Sequence, residues 1–117
     1  MAMANAGIMI GWTRALAGRE ATANTKFAEF GAYLLKLQAE SRIESFEPVI
    51  MRPHGGDLNG FFLVRGTEAK LAELRATDHW KEWETWGGFF LENFGAVDCM
   101  LGESVGPAMA RWAKHIK

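Results

Sequence analysis

Cysteine is almost absent from this chain: Cys99 is the only one among 117 residues. An intrachain disulfide is excluded, and a reducing compartment is the expected setting. Long apolar runs are also missing. No stretch approaches the ~18 residues that a membrane-spanning helix requires. The opening MAMANAGIMIGW has no positively charged leader and no sustained apolar segment, so it does not read as a secretory signal. Charge of one sign is lacking as well. Thirteen Lys and Arg stand against 14 Asp and Glu, a net charge of −1. That balance offers no electrostatic footprint for nucleic acid or an anionic membrane. What these absences leave is a single soluble domain, expected in the cytoplasm.

What the chain does have is apolar and aromatic. Hydrophobic residues make up 49%, with five tryptophans and eight phenylalanines, enough for a sizeable core in one domain of this length. Gly7–Trp12 (GIMIGW) is short and rich in strand formers and reads as a first strand. RALAGREATANT reads as a loop. From about Thr25 to Glu40 a helix is expected, with Phe27, Phe30, Tyr33, Leu34 and Leu37 on one side. Phe46–Arg52 reads as a second strand in which Pro48 belongs near the start or at a sheet edge, because it cannot donate to a ladder. The turn-rich PHGGDLNG links it to a third strand, Phe61–Arg65.

Thr67 is placed to cap a short helix, and Thr77 or Asp78 to cap the next. In that helix Trp80, Trp83, Trp86, Gly87, Phe90, Leu91 and Phe94 project to one side, while Phe89 falls on the other. Ala96–Leu101 reads as the last strand. Ser104 is placed to cap a final helix bearing Met109, Trp112, Ala113 and Ile116 at helical spacing. A faint repeat supports the order. Phe27, Glu29, Phe30, Tyr33 and Leu37 match Trp80, Glu82, Trp83, Trp86 and Phe90 at a constant offset of 53. The expected fold is α+β: a ferredoxin-like βαββαβ sandwich with an extra C-terminal helix.

The strands do not alternate apolar and polar residues, as strands of a sheet with one wet face should. IMI, VIM and FFLV are apolar at consecutive positions, so both sheet faces are apolar. Two main helices cover only one face. A second copy of the chain is the simplest cover for the other, and a homodimer is expected.

The element order, the length and the segment FFLVRGTEAKLAELRATDHWKEW resemble the dimeric α+β barrel superfamily. Within it the chain looks like small bacterial proteins of unassigned function, related in look to the YCII-like group. The PHGGDLNGFFLVRG hairpin carries most of the likeness. The superfamily includes cofactor-free monooxygenases, muconolactone isomerases and haem proteins of the chlorite-dismutase type, so the resemblance implies an architecture more than a reaction.

Candidate chemistry follows from a few residues. The stripe of Trp80, Trp83 and Trp86 can be plain core, or it can wall a pocket for a small apolar or aromatic ligand. Gly87 within it admits either a close neighbour or a ligand. Tyr33, on the matching helix, can add a hydroxyl, and Arg52 can meet a carboxylate or phenolate. His54 and Asp57 share one turn, where a histidine held by a carboxylate can act as a general base; the same residues also suit an ordinary turn. His79 starts the tryptophan helix. An acid–base role for either histidine requires it to line the same cavity as Trp83. No HxH or HxxxH spacing occurs, so neither a metal nor another cofactor is expected, and a lone histidine gives no specific signal for haem. Cys99 alternates with Val97 and Leu101 and reads as a small buried hydrophobe. Two functions stand side by side: a small-molecule binder or cofactor-independent enzyme of the barrel type, and a dimeric structural or interaction module without catalytic activity. A lined cavity separates them.

Overall fold

The computed structural model describes residues 5–117. The chain runs β1 (Ala6–Trp12), β2 (Arg14–Ala15), α1 (Glu20–Ala39), β3 (Ser45–Ile50), β4 (Gly60–Gly66), α2 (Glu68–Arg75), α3 (Asp78–Phe90), β5 (Leu91–Glu92), β6 (Gly95–Met100) and α4 (Val105–Ala113), with a 3-10 turn at Gly102–Ser104 before α4. The architecture is α+β. Four strands form an antiparallel sheet in the order β3-β4-β1-β6, and β2 and β5 form a separate two-residue ladder.

Register decides which residues form the core. Ile8 lies opposite Val64, and Ile10 lies between Phe62 on one neighbour and Ala96 on the other. Ile8, Ile10, Phe62 and Val64 are all buried, and they carry Phe30, Tyr33, Leu34 and Leu37 of α1 and Leu71 and Leu74 of α2. The alternate residues point to the other face. Met9, Phe61 and Leu63 there are only half-buried, and Val97 is exposed. Both faces are therefore apolar, and helices cover one of them. Pro48 sits in β3, which is an edge strand, so its missing N–H removes no bond from the sheet interior.

Two helix boundaries and one expected cap differ, each for a local reason. The first helix starts at Glu20 rather than near Thr25. Arg19 precedes it without any side-chain cap, so an alanine-rich first turn extends the helix with no capping residue to mark its start. The tryptophan helix ends at Phe90 instead of continuing to Phe94, because Leu91–Glu92 pair with Arg14–Ala15 and Asn93 turns the chain at φ 52°. Ser104 does not cap α4. Its hydroxyl bonds to the Leu101 carbonyl at 2.8 Å and to Asn5, tying the turn back to the start of β1. The other two caps are as expected: Thr67 accepts from the Lys70 N–H and Thr77 from the Trp80 N–H, each at 3.2 Å.

α4 stands apart. None of its residues is buried, and Trp112 is 62% exposed. Val105, Met109 and Trp112 fall on one side at helical spacing, with Ile116 continuing the stripe past the helix end. The final helix covers neither sheet face of its own chain.

Candidate ligand cavity

Toward the Trp12 end of the sheet the helical layer parts. A cavity of about 390 Å³ opens between α1 and α3 over Ile10 and Phe62. That volume lies within the range typical of small-molecule sites. One wall is α1, which contributes Lys26, Phe27 and Phe30. The facing wall is α3, which contributes Trp80, Trp83, Trp86 and Gly87. Trp12 and Phe94 close the ends.

The aromatic packing explains why these walls stand apart. Trp83 stacks on Tyr33, with centroids at 5.8 Å and planes 19° apart, and meets Trp86 edge-on at 5.0 Å. Phe30 sits 5.1 Å from Trp83 and 5.1 Å from Phe62, linking both helices to the sheet. Phe27 packs 4.9 Å from Phe62 and meets Trp12 edge-on. Rigid rings propped against one another leave space that flexible aliphatic side chains would fill. Of the three tryptophans only Trp80 is fully enclosed, at 1% exposed; Trp83 and Trp86 are half-buried.

The polar groups are few. Lys26 reaches across from α1, its ammonium 4.2 Å above the Trp86 ring and 5.9 Å from the Trp83 ring. It also lies 3.5 Å from Glu29. Glu84 is paired with Arg75 at 2.9 Å, and Arg75 also holds Asp98 at 2.7 Å. Glu20, in the first turn of α1, is exposed at the mouth. The indole N–H groups of Trp80 and Trp83 are buried without a hydrogen-bond partner among the described residues. Burying a donor unpaired costs ~1–3 kcal/mol.

Gly87 serves a neighbour. A β-carbon there would overlap the Phe94 ring, which folds back onto the helix at that point. The missing side chain accommodates Phe94, and Phe94 in turn closes the cavity end.

The sequence-derived candidates divide. Trp80, Trp83, Trp86 and Gly87 line the cavity; Tyr33, Arg52, His54, Asp57 and His79 do not. Tyr33 lies behind Trp83, and burial raises the pKa of its hydroxyl. His79 packs on the outer side of Tyr33, with centroids 4.5 Å apart, and is exposed. His54 closes its own loop. Its Nδ1 accepts from the Gly56 N–H at 3.2 Å, so Nε2 carries the proton and donates to the Leu58 carbonyl at 2.9 Å. Asp57 and Arg52 are exposed in the same loop. The acid–base arrangement needed a histidine on the wall that holds Trp83, and the geometry provides none. Cys99 sits on the other sheet face, where burial and then Asp98 raise the pKa of its thiol and disfavour the reactive thiolate.

Sequence reasoning missed Lys26 and Trp12 as wall residues. Lys26 had a usable signal, since it stands four residues before Phe30 and so flanks the aromatic stripe. Phe94 was projected onto the tryptophan stripe and does line the cavity, but it reaches the wall from the turn after α3 and not from the helix itself. Among the described residues no three His, Cys, Asp or Glu side chains converge as a metal site would require, and no helix is long and apolar enough to cross a membrane. The chain matches no family model, no curated protein and no solved structure at a level that establishes kinship.

Proposed function

We propose that the chain is a small-molecule-binding protein of the dimeric α+β barrel type, working without a cofactor. The observation that carries this reading is the aromatic cavity of about 390 Å³ walled by Trp80, Trp83 and Trp86. A domain whose role were only structural would gain by filling that space, since each lost contact in a core weakens it. The strand order β3-β4-β1-β6, with both long helices packed on one face, supports a ferredoxin-like assignment.

The homodimer belongs to the same proposal. The outer sheet face presents Met9, Phe61, Leu63 and Val97, with the Arg65–Glu47 ion pair at 3.0 Å toward its edge. The apolar stripe of α4 is more exposed than most of that face. A twofold pairing lets two outer faces, and the α4 stripes beside them, cover one another. Apolar centre and polar rim is the pattern of stable interfaces.

Two measurements test the proposal. Sedimentation at micromolar concentration should give a dimer; a monomer overturns the assembly. A screen of small aromatic compounds, read by quenching of tryptophan fluorescence, should find binders whose affinity falls in Trp83→Ala. Binders unaffected by that change would place binding elsewhere, and a screen with no binders would leave the cavity without a role.

A further inference from the structure

Resting on the dimer proposed above, we infer that its seam is a pair of α4 helices. α4 of one copy lies antiparallel against α4 of a second copy about a twofold axis, Val105 against Ile116 and Met109 against Trp112. Three observations converge on that occupant.

The first is the width of the stripe. Val105, Met109, Trp112 and Ile116 are all exposed. The Ile116 N–H bonds back to the Ala113 carbonyl at 3.2 Å, so the chain keeps winding to the end of the stripe. At 3.6 residues per turn the four side chains fall within about 60° of one another. A helix laid on a broad apolar surface presents a face of ~100° or more, and a narrower stripe is the seam of one helix against another. The bordering positions are Gly106, Ala108, Ala113 and His115. Three of them are small, which lets two helix axes approach closely.

The second is the spacing. Four, three and four positions separate the stripe residues, the alternation of a two-helix seam. That series reads the same in both directions. An antiparallel twofold therefore sets every member of the stripe on an apolar partner, with the axis between Ala110 and Arg111. Val105 meets Ile116 at both ends. Met109 meets Trp112 on both sides of the centre, a favourable sulfur–aromatic pairing.

The third is charge. Residues 105–117 carry Arg111, Lys114 and Lys117 and no acidic side chain, while Glu103 stands just before the helix. The three cations project away from the stripe, so the seam buries none of them. A parallel pair would set two cationic ends side by side. The antiparallel pair sets each cationic end beside Glu103 of the other copy. The chain's own sheet is not a competing occupant. Ser104, bonded to the Leu101 carbonyl at 2.8 Å and to Asn5, fixes the turn from which α4 leaves.

The experiment uses the full chain. Cys99→Ala makes introduced cysteines the only reporters. With Val105→Cys and Ile116→Cys together in that background, air oxidation should give a covalent dimer on a non-reducing gel. Within one chain the two positions are ~16 Å apart, too far for an internal disulfide. Ile116→Cys alone should not crosslink, because an antiparallel pair holds its two copies at opposite ends. With Cys99 retained, Trp112→Ala should raise the dissociation constant about tenfold or more by sedimentation, with the far-ultraviolet dichroism kept. Glu103→Lys should raise it about twofold to fivefold, the scale of an exposed ion pair, and adding Lys117→Glu should restore it.

Crosslinking by Ile116→Cys alone would overturn the antiparallel pair. A sedimenting dimer that neither crosslinks through Val105→Cys with Ile116→Cys nor weakens in Trp112→Ala would overturn the helix pair and leave the dimer reading standing. A chain that sediments as a monomer would overturn both. Phosphatidylglycerol vesicles test the other occupant of a basic amphipathic helix. Pelleting with them that Trp112→Ala abolishes, with loss of the dimer, would assign α4 to a lipid surface and overturn the pair.

Discussion

α3 and α4 carry the same kind of signal in the sequence and meet opposite fates. Each has large apolar residues at helical spacing, and each includes tryptophan. Trp80 of α3 is 1% exposed, whereas Trp112 of α4 is 62% exposed. The difference lies in what precedes each helix. α3 follows α2 through a tight junction at Ala76–Thr77, and Thr77 bonds to both sides of it, to the Leu74 carbonyl at 2.7 Å and the Trp80 N–H at 3.2 Å. That junction delivers Trp80 onto Phe30, 6.0 Å away, beside the buried sheet face. α4 follows an edge strand through Gly102, at φ 53°, and Ser104, which is tied back to Asn5. The chain leaves the sheet edge and the helix projects outward. Periodicity states that a face will be covered; the preceding turn decides whether the covering surface lies in the same chain.

The sharpest way to break this comparison is to remove its buried side. Trp80→Ala should cost ~3–5 kcal/mol of stability, the usual range for deleting a buried tryptophan. Urea unfolding followed by far-ultraviolet circular dichroism measures it. A cost below about 1 kcal/mol would mean that α3 is not the anchor of the layer. The exposed side should respond in another observable. Trp112→Glu removes nothing from a single chain's core, so the helical signal of the monomer should persist. The dissociation constant of the proposed dimer should rise by at least about tenfold, or ~1.4 kcal/mol. An unchanged sedimentation profile for that variant would dissociate α4 from the interface.

How much of this could be read beforehand depended on whether a rule of spacing or of local chemistry applied. Three of the four long strands were legible from short runs of consecutive apolar residues, IMI, VIM and FFLV, which admit no wet face. The caps at Thr67 and Thr77 were legible because a threonine before an acidic first turn has a specific hydrogen-bonding use. Pro48 was legible at an edge because it lacks an N–H. The β2–β5 ladder was not, since two residues per strand, Arg14–Ala15 and Leu91–Glu92, establish no period. The start of α1 was not, because Arg19 gives no capping signal. The site was half legible. Helical projection located Trp80, Trp83 and Trp86 on the wall, but the polar partners were sought among histidines. His54 spends both ring nitrogens on its own loop, while Lys26 serves the cavity from the helix opposite. Placing Lys26 requires knowing that α1 and α3 face each other across the gap.

Gly87→Ala sets two effects in α3 against each other. Alanine in a helix interior gains ~1 kcal/mol over glycine. The added β-carbon meets the Phe94 ring, which must shift from the end of the cavity. Overpacking of this kind costs ~1–3 kcal/mol, so the net effect should be destabilising by about 1 kcal/mol. A double-mutant cycle decides between the terms. With Phe94→Ala already present the clash is gone, and Gly87→Ala should then stabilise. Destabilisation that persists in that background would mean that the glycine serves something other than the Phe94 ring.

The smallest effect is expected at the junction that separates the two helices' fates. Thr77→Ala removes the acceptor for the Trp80 N–H and the donor to the Leu74 carbonyl. A lost N-cap of this type costs ~1 kcal/mol. The junction is partly open to water, which can take up some of the released bonding, so the cost should not exceed that by much. Thr77→Ser keeps the hydroxyl and should restore nearly all of the stability, which separates the cap from the lost methyl contact. The cap also has a positional role that stability alone does not report. If Thr77 sets the angle at which α3 enters the layer, the alanine variant should change the near-ultraviolet dichroism of the Trp80–Trp83 cluster, and serine should restore it. A Thr77→Ala protein with unchanged aromatic dichroism would show that Trp80 finds its seat against Phe30 without the junction. Packing alone would then account for the different fates of α3 and α4.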